Sequence, residues 1–294
     1  MCELYFSVVI PVYNDKVRLE KCLDALIRQR FDQRKFEVIV VNNDPDGSIV
    51  LDDQYYNKLN LELVNEISPG SYSARNKGIQ CSNAEIIAFT DSDCIPDSDW
   101  LSNAMQYFEN DYSRINGIVA GKVPLFFINP NSMSFAEIYE KYTGFDFESY
   151  VKEGSCGAGN WFSYKSVLTE FGGFNSQLKS NGDTELSKRI SKKYNIIFAP
   201  DVIVSHPSRY LIKDIVYKYR RLLGGTYNRK FENSHKGFLF YMISFSWRRL
   251  RFAIKKIFII HPKESVPIFF VCLAIIIGTW KEYILLLQGN DAKR

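Results

Sequence analysis

Short apolar runs and amphipathic stretches alternate through the first third of the chain. "FSVVIPVYN" reads as a buried strand ending at Pro11. "DKVRLEKCLDALIRQ" follows with Val17, Leu19, Cys22, Leu23, Leu26 and Ile27 at helical spacing, and Asp15 stands where an N-cap belongs. "FEVIVVNND" is a second continuous apolar run, broken by Asn42, Asn43 and Asp44 and then by Pro45-Asp46-Gly47. "LELVNE" is a weaker third strand, "SYSARNKGIQCS" a short helix that stops near Gly78, and "AEIIAFTDSD" the next strand. Strands without internal alternation, separated by helices, predict an α/β fold with a mostly parallel sheet covered on both faces. Ligands of such sheets collect at the carboxyl ends of the strands. Pro11, Tyr13 and Asn14, then Asn42-Asn43-Asp44, then Asp91-Ser92-Asp93 all fall at such ends.

The pattern changes further along. Residues 97–201 mix aromatic, glycine and polar positions. After His206 the chain turns basic and amphipathic, which predicts two regions: 1–206 carrying the sheet and its chemistry, and 207–294 as a helical extension. In that extension "GFLFYMISFSWRRLRFAIKKIFII" interleaves aromatic and aliphatic residues with Arg248, Arg249, Arg251, Lys255 and Lys256. As a helix this is a basic amphipathic surface suited to an anionic membrane interface. The uncharged run from Val266 to Trp280 falls short of the ~20 residues of a full span, and extending it takes in Lys281 and Glu282. A re-entrant hairpin or an interfacial helix pair is therefore expected before a single clean span. The competing reading is a soluble helical subdomain that packs its apolar run against the sheet or a second subunit. No internal repeat or low-complexity tract interrupts the chain.

Composition narrows this picture. With 294 residues, 46% hydrophobic and 24% charged, the chain can bury a sizeable core and is not a disordered one. An aromatic share of 15% suits apolar clefts or interfaces. The six cysteines show neither CxxC pairing nor zinc spacing, so reduced thiols in a cytosolic compartment are expected, and the first residues lack the pattern of a secretory signal. The net charge of +4 conceals a split. Up to His206 there are 20 basic and 28 acidic residues, a balance of −8; beyond it there are 17 against 5, a balance of +12. The last third is thus expected to meet an anion, either a phosphate-bearing substrate or a lipid surface. No nucleic-acid-binding motif accompanies the charge, and no nucleic-acid partner is expected.

The chemistry concentrates in "AFTDSDCIPD". Carboxylates as close as Asp91 and Asp93 repel unless solvated, engaged in a turn or holding a cation. Paired acids suit Mg2+ or Mn2+ and leave coordination positions for diphosphate oxygens. Neither GxxxxGK[ST] nor GxGxxG follows the first strand, so a nucleotide would be held by metal and side chains. Arg75, opening a short helix, balances these acids or binds phosphate, or is a surface cation. Asn43 at a strand end hydrogen-bonds a base edge or belongs to a turn.

The segments "FSVVIPVYND", "VIVVNNDPDGS", "GSYSARNKGIQCSNAEIIAFTDSDCIPDSDWL" and "GNWFSYKSVLTEFGGFNSQLKSNGDTEL" resemble, in order and spacing, the signatures of family 2 glycosyltransferases with the GT-A fold. The resemblance runs from Phe6 to His206. It implies a Rossmann-like sheet, a nucleotide-sugar donor (UDP-, GDP- or dTDP-linked), a divalent cation, Mn2+ or Mg2+, and inversion at the anomeric carbon. It places Pro11, Tyr13, Asn14 and Asn43 around the base and ribose, and Arg75 near base and phosphates. Asp91, Ser92 and Asp93 match the DxD motif, with Asp93 the direct metal ligand and Asp91 nearer the ribose or a metal-bound water. Asn43 departs from the family's usual acid, and an amide donates as well as accepts, which loosens the expected uridine preference. Asp183 matches the general base, although Gly182 stands where many relatives carry a first acid. The alternatives are that Asp183 N-caps the following helix and that Glu185 is the base. His206 matches a histidine that completes the metal shell in related enzymes, against a structural role. Gly157, Gly159, Asn160 and Trp161 resemble the segment beside donor sugar and acceptor, although Trp161 could equally pack in the core. The function implied is metal-assisted transfer of a sugar to an acceptor hydroxyl of a glycan or lipid-linked glycan, at the cytoplasmic face of the cell membrane, in surface polysaccharide or glycolipid synthesis. The rivals are a non-catalytic nucleotide-sugar-binding or scaffold protein and a nucleotidyltransferase. The latter needs a basic glycine-rich loop after the first strand, and "IPVYNDK" is not one.

Overall fold

The structure is a computed structural model and describes residues 4–44, 46–232 and 234–292. The expectations resting on Met1, Cys2 and Pro45 lie outside the described residues. In chain order the elements begin β1 (Phe6–Val12), α1 (Lys16–Ile27), β2 (Phe36–Asn42), α2 (Asp53–Lys58), β3 (Leu61–Asn65), α3 (Ser71–Cys81) and β4 (Ile86–Thr90). There follow β5 (Ile95–Pro96), α4 (Trp100–Glu109), β6 (Asn116–Lys122), β7 (Leu125–Phe126), α5 (Phe135–Lys141), α6 (Phe147–Lys152), β8 (Asn160–Tyr164) and α7 (Lys165–Glu170). The chain closes with α8 (Gly182–Ile190), β9 (Asn195–Pro207), α9 (Ile212–Lys230), α10 (His235–Ile259) and α11 (Pro262–Leu287). These elements form two compact units. The first holds the chain up to Pro124, Phe145–Gln177 and Gly182–His206; the second holds Leu125–Gly144, Leu178–Asn181 and the chain from Pro207 onward.

The first unit is built on a sheet ordered β3-β2-β1-β4-β8-β6-β9-β5. Strands β1 and β2 are buried at every position, which is why both read as unbroken apolar runs. Strand β3, at the sheet edge, is only partly buried, and its weaker pattern has that cause. β1 pairs in parallel with β2 and β4, β2 with β3, and β6 with β9. β8 runs antiparallel between β4 and β6, so the mixed character of the sheet comes from the middle of the chain, where the sequence pattern gave no strand. Inside this sheet Ser7 donates to buried Glu37, which also accepts from Asn83, fixing the loop that enters β4.

Two local expectations are corrected. Helix α3 does not stop at Gly78 but runs to Cys81. A Cβ at Gly78 would lie 2.2 Å from Val9 Cγ1, so this glycine lets the helix pack closely on β1 instead of ending it. Asp15 precedes α1, but its side chain makes no capping bond; it pairs with Arg18 at 2.5 Å.

The second unit packs helix on helix. One cluster joins Ala136, Ile138 and Tyr139 of α5 to Ile215, Phe245, Ile268, Val271, Cys272 and Ile275. This burial corrects the expected division at 206: residues 125–144 carry an apolar face that is satisfied by α9, α10 and α11. Helix α11 runs unbroken for 26 residues, about 39 Å at 1.5 Å per residue. Glu282 inside it is 1% exposed and ion-paired with Arg220 of α9 at 2.7 Å. The charge that interrupts the apolar run in the sequence is therefore compensated by a neighbouring helix. The five cations of α10 do not share one face. Arg248, Arg251 and Lys255 are exposed, whereas Arg249 lies over Tyr219 and Phe245 and Lys256 over Tyr142.

Candidate active site

The carboxyl ends of β1, β2 and β4 bring the first candidates into one region of the sheet. Parallel pairing sets Val12 beside Asn42 and Val9 beside Phe89, so the residues that follow each strand emerge together. Pro11 is buried in β1; Tyr13 is 66% exposed, and Asn14 turns with φ 47. Asn43 is buried and heavily engaged. Its amide donates to Glu66 O at 2.7 Å and Ser68 O at 2.8 Å, and its carbonyl accepts from Gly70 N at 2.6 Å. Asn43 thus pins the loop that leads into α3. Its amide hydrogens are committed, and a base edge would meet only a carbonyl lone pair.

That pinned loop launches α3, whose Arg75 is 5% exposed and ion-paired with Asp91. The guanidinium also lies 6.0 Å from the Tyr72 ring centroid and 5.9 Å from that of Phe174. Arg75 Nε is buried without a hydrogen-bond partner among the described residues, a donor left for an incoming anion. Asp93, 24% exposed at its side chain, lies 3.5 Å from Arg18 Nη1 and 3.9 Å from His206 Nε2. His206 enters from β9 and is 9% exposed, with its ring edge-on to Phe145 at 5.0 Å. The ligand atoms of Asp93, Cys94 and His206 all fall within 4.8 Å of one another. Burial, with Asp91 and Asp93 adding to it, raises the Cys94 thiol well above its ordinary range. Asp93 and His206 offer a carboxylate oxygen and an imidazole nitrogen, donors suited to a divalent cation. Asp91 is engaged with Arg75 and stands outside this group.

Residues 157–159 run between two carboxylates. A Cβ at Gly159 would lie 3.2 Å from Asp91 Oδ2, and one at Gly157 would lie 3.7 Å from Asp183 Oδ2 and 2.9 Å from the Phe147 ring. Asp183 begins α8, where Oδ1 accepts from Thr184 N at 2.9 Å and meets the Tyr72 hydroxyl at 3.5 Å. Oδ2 accepts no hydrogen bond among the described residues. Glu185 differs: both its oxygens are held by Arg189 at 2.7 and 3.0 Å, and Arg189 also braces the carbonyls of Phe171 and Gly173. Glu185 is a structural brace for the glycine turn before α8.

Two expected sugar contacts are corrected. Trp161 is 0% exposed, packed against Phe89 and Phe174, and its indole donates to Ser163 at 2.7 Å. Asn160 is also fully buried, accepting from Trp100 and donating to Lys122 O and Val202 O. Both belong to β8 at the centre of the sheet and have no surface for a sugar; Gly159, beside Asp91, remains. The sequence reading missed Arg18, whose signal is its i,i+3 spacing from Asp15, and Tyr72, whose hydroxyl accepts from Gly182 N at 2.8 Å and so positions the start of α8.

Comparison with known proteins identifies the family and the fold. The profile of "Glycosyl transferase family 2" matches residues 7–170. Glycosyltransferase AglE of Haloferax volcanii is 37% identical over 215 residues, covering 70% of this chain and 67% of that protein. The poly(ribitol-phosphate) beta-N-acetylglucosaminyltransferase TarS of Staphylococcus aureus is 30% identical over 113 residues, 37% of this chain and 20% of its own length. Among solved structures, the mannosyltransferase PcManGT from Pyrobaculum calidifontis, in complex with GDP-Man and Mn2+, superposes with a TM-score of 0.65 at 17% identity, covering 99% of this chain and 89% of that one. TarS residues 1–349 with UDP-GlcNAc superposes with a TM-score of 0.54 at 19% identity, covering 98% of this chain and 93% of that one. At these identities the superpositions speak to the fold. The family profile spans more than half of the chain, and the AglE match extends beyond it at higher identity. The chain belongs to the family 2 glycosyltransferases and has their GT-A fold.

Proposed function

We propose that this glycosyltransferase inverts the anomeric centre by single displacement, taking a sugar from a nucleoside diphosphate to a hydroxyl of a glycan or lipid-linked acceptor. The observation that carries the reading is the placement of Asp91 and Asp183 at opposite ends of the Gly157–Gly159 segment. One carboxylate is paired with Arg75, the group we assign to phosphate; the other presents an unengaged oxygen. Asp93 and His206 would hold a divalent cation, which supplies positive charge against the leaving diphosphate. Arg75, with an unused buried donor, binds phosphate oxygens, and Arg18 adds a second positive group near Asp93. Asp183 Oδ2 takes the proton of the acceptor hydroxyl while Oδ1 stays fixed by Thr184. A side chain at residue 159 would crowd Asp91, and one at residue 157 would crowd the Phe147 ring beside Asp183. Surface polysaccharide or glycolipid synthesis is the setting this reading favours.

The test is a thermal-shift series with nucleoside diphosphates and their sugars, with and without Mn2+. One nucleotide series is expected to stabilise the full chain in a cation-dependent way, by about 2.7 kcal/mol at a hundredfold excess over Kd. Absence of a cation-dependent shift for every nucleotide would reject the donor reading.

The helical unit supports an attachment to membrane. Residues from Pro207 onward carry the +12 balance. Apolar stripes stay exposed on α10 (Phe240, Ile243, Trp247, Ile254, Phe258) and on α11 (Val266, Phe270, Ile277, Ile284). Helix α11 is the one described helix long and apolar enough to cross a bilayer. The α10–α11 hairpin is proposed to hold the enzyme on the anionic cytoplasmic face, in reach of a lipid-linked acceptor. On fractionation the full chain should pellet with membranes, resist high-salt extraction and require detergent. A chain that remains soluble and monodisperse without detergent overturns this attachment.

A further inference from the structure

The helical unit contains a cavity of about 460 Å3 that the transfer chemistry does not use. Tyr219 of α9 and Tyr241, Arg248 and Arg249 of α10 line it, with Leu222 and Phe252 supplying apolar wall. Arg249 is half-buried. Its guanidinium lies 4.5 Å from the Tyr219 ring centroid and 5.3 Å from that of Phe245, and Nη1 donates to the Tyr139 hydroxyl at 2.8 Å. Arg248 lies 5.9 Å from the Tyr241 centroid and donates to Ser244 at 2.7 Å. Ring faces and hydroxyls orient these cations without neutralising them.

Among the described residues neither arginine has a carboxylate within 4 Å, and five of the unit's seven acids are committed elsewhere. Glu140 pairs with Arg209 and Lys218, Glu264 with Lys141, Glu282 with Arg220 and Asp291 with Lys179. Glu137 closes the capping box of α5. Asp214 and Glu232 do not line the cavity. Two successive arginines therefore line one recess that has no carboxylate among its lining residues, in the strongly basic part of the chain. A half-buried cation without an anion is costly, and the planar arginine fork matches phosphate oxygens.

We infer that this cavity is a binding site for a phosphate-headed ligand, with Arg248 and Arg249 on the phosphate and the aromatic and leucine wall on the attached apolar body. The phosphate can come from a lipid headgroup or from a soluble ester, and the two are separable. The inference stands apart from donor binding and transfer, because its readout is binding alone.

The experiment uses the full chain in neutral detergent, titrated calorimetrically with dodecyl phosphate and, in parallel, with dodecanol and with inorganic phosphate. Dodecyl phosphate is expected to bind and dodecanol not. Arg248→Gln, at an exposed position that needs no refolding, should weaken binding at least tenfold, and Arg249→Gln should do the same or more. Arg251→Gln, an exposed cation of the same helix outside the cavity, should leave binding unchanged. Competition by inorganic phosphate assigns a soluble source to the ligand; its failure to compete assigns a lipid source. The inference is overturned if neither phosphate compound binds, if Arg248→Gln binds as wild type, or if Arg251→Gln loses as much as Arg248→Gln.

Discussion

Asp183→Asn is expected to lower turnover by about 10²–10⁴-fold, the range of general-base catalysis, with nucleotide binding unchanged. The substitution is nearly isosteric. The amide oxygen can still accept from Thr184 N, as Asp183 Oδ1 does at 2.9 Å, so the start of α8 keeps its geometry. What changes is the other atom. An NH2 at the Oδ2 position donates and cannot take a proton from an acceptor hydroxyl. A loss of that size equals roughly 2.7–5.5 kcal/mol in the barrier. Single-turnover transfer at saturating donor, paired with nucleotide titration, separates chemistry from binding. Glu185→Gln is the informative control: it weakens the hold on Arg189, whose guanidinium braces the carbonyls of Phe171 and Gly173. Its expected effect is a lower melting temperature at near-normal turnover. Full activity in Asp183→Asn together with its loss in Glu185→Gln would move the base to Glu185.

The contrast between these two acids shows where sequence reading loses its hold. Both stand in the first turn of α8, and nothing in "GDTEL" says that one carboxylate is clamped by an arginine four residues on while the other faces a glycine. The parallel half of the sheet was legible because β1 and β2 are covered on both faces, and complete burial writes an uninterrupted apolar run. Strand β8 was not. Its five residues follow a glycine segment and mix polar with aromatic, and only its central position between β4 and β6 buries Asn160 and Trp161. Arg249 teaches the same lesson in the helical unit. A basic run on an amphipathic helix reads as a uniformly wet face, yet cation–π contacts hold the Arg249 guanidinium over Tyr219 and Phe245. Candidate residues at strand ends were recognisable by type and place; which of them are already spent on structure depends on partners far away in sequence, as Asn43 and the 66–70 loop demonstrate.

Asp93→Ala is expected to remove cation-dependent nucleotide binding and to cut transfer by more than the 10–100-fold that loss of an outer-shell partner costs a metal site. Among the described residues, the ligand atom of Asp93 shares the 4.8 Å cluster with those of His206 and Cys94. Asp91 cannot simply replace it, because that carboxylate is ion-paired with buried Arg75. The fold should survive: Asp93 is partly exposed, and its removal leaves no apolar cavity. The variant does lose the contact with Arg18 at 3.5 Å, but that pair is exposed and of the kind that contributes little to stability. Circular dichroism at wild-type level, with calorimetric nucleotide titrations in Mn2+ and in chelator, gives the decisive comparison. Wild type should bind more tightly with Mn2+, and Asp93→Ala should bind equally weakly in both. His206→Ala should fall between them, because one neutral donor is lost and the charged one remains. If Asp93→Ala retains the full Mn2+ dependence, the cation is held without this carboxylate and the site built from Asp93 and His206 is wrong.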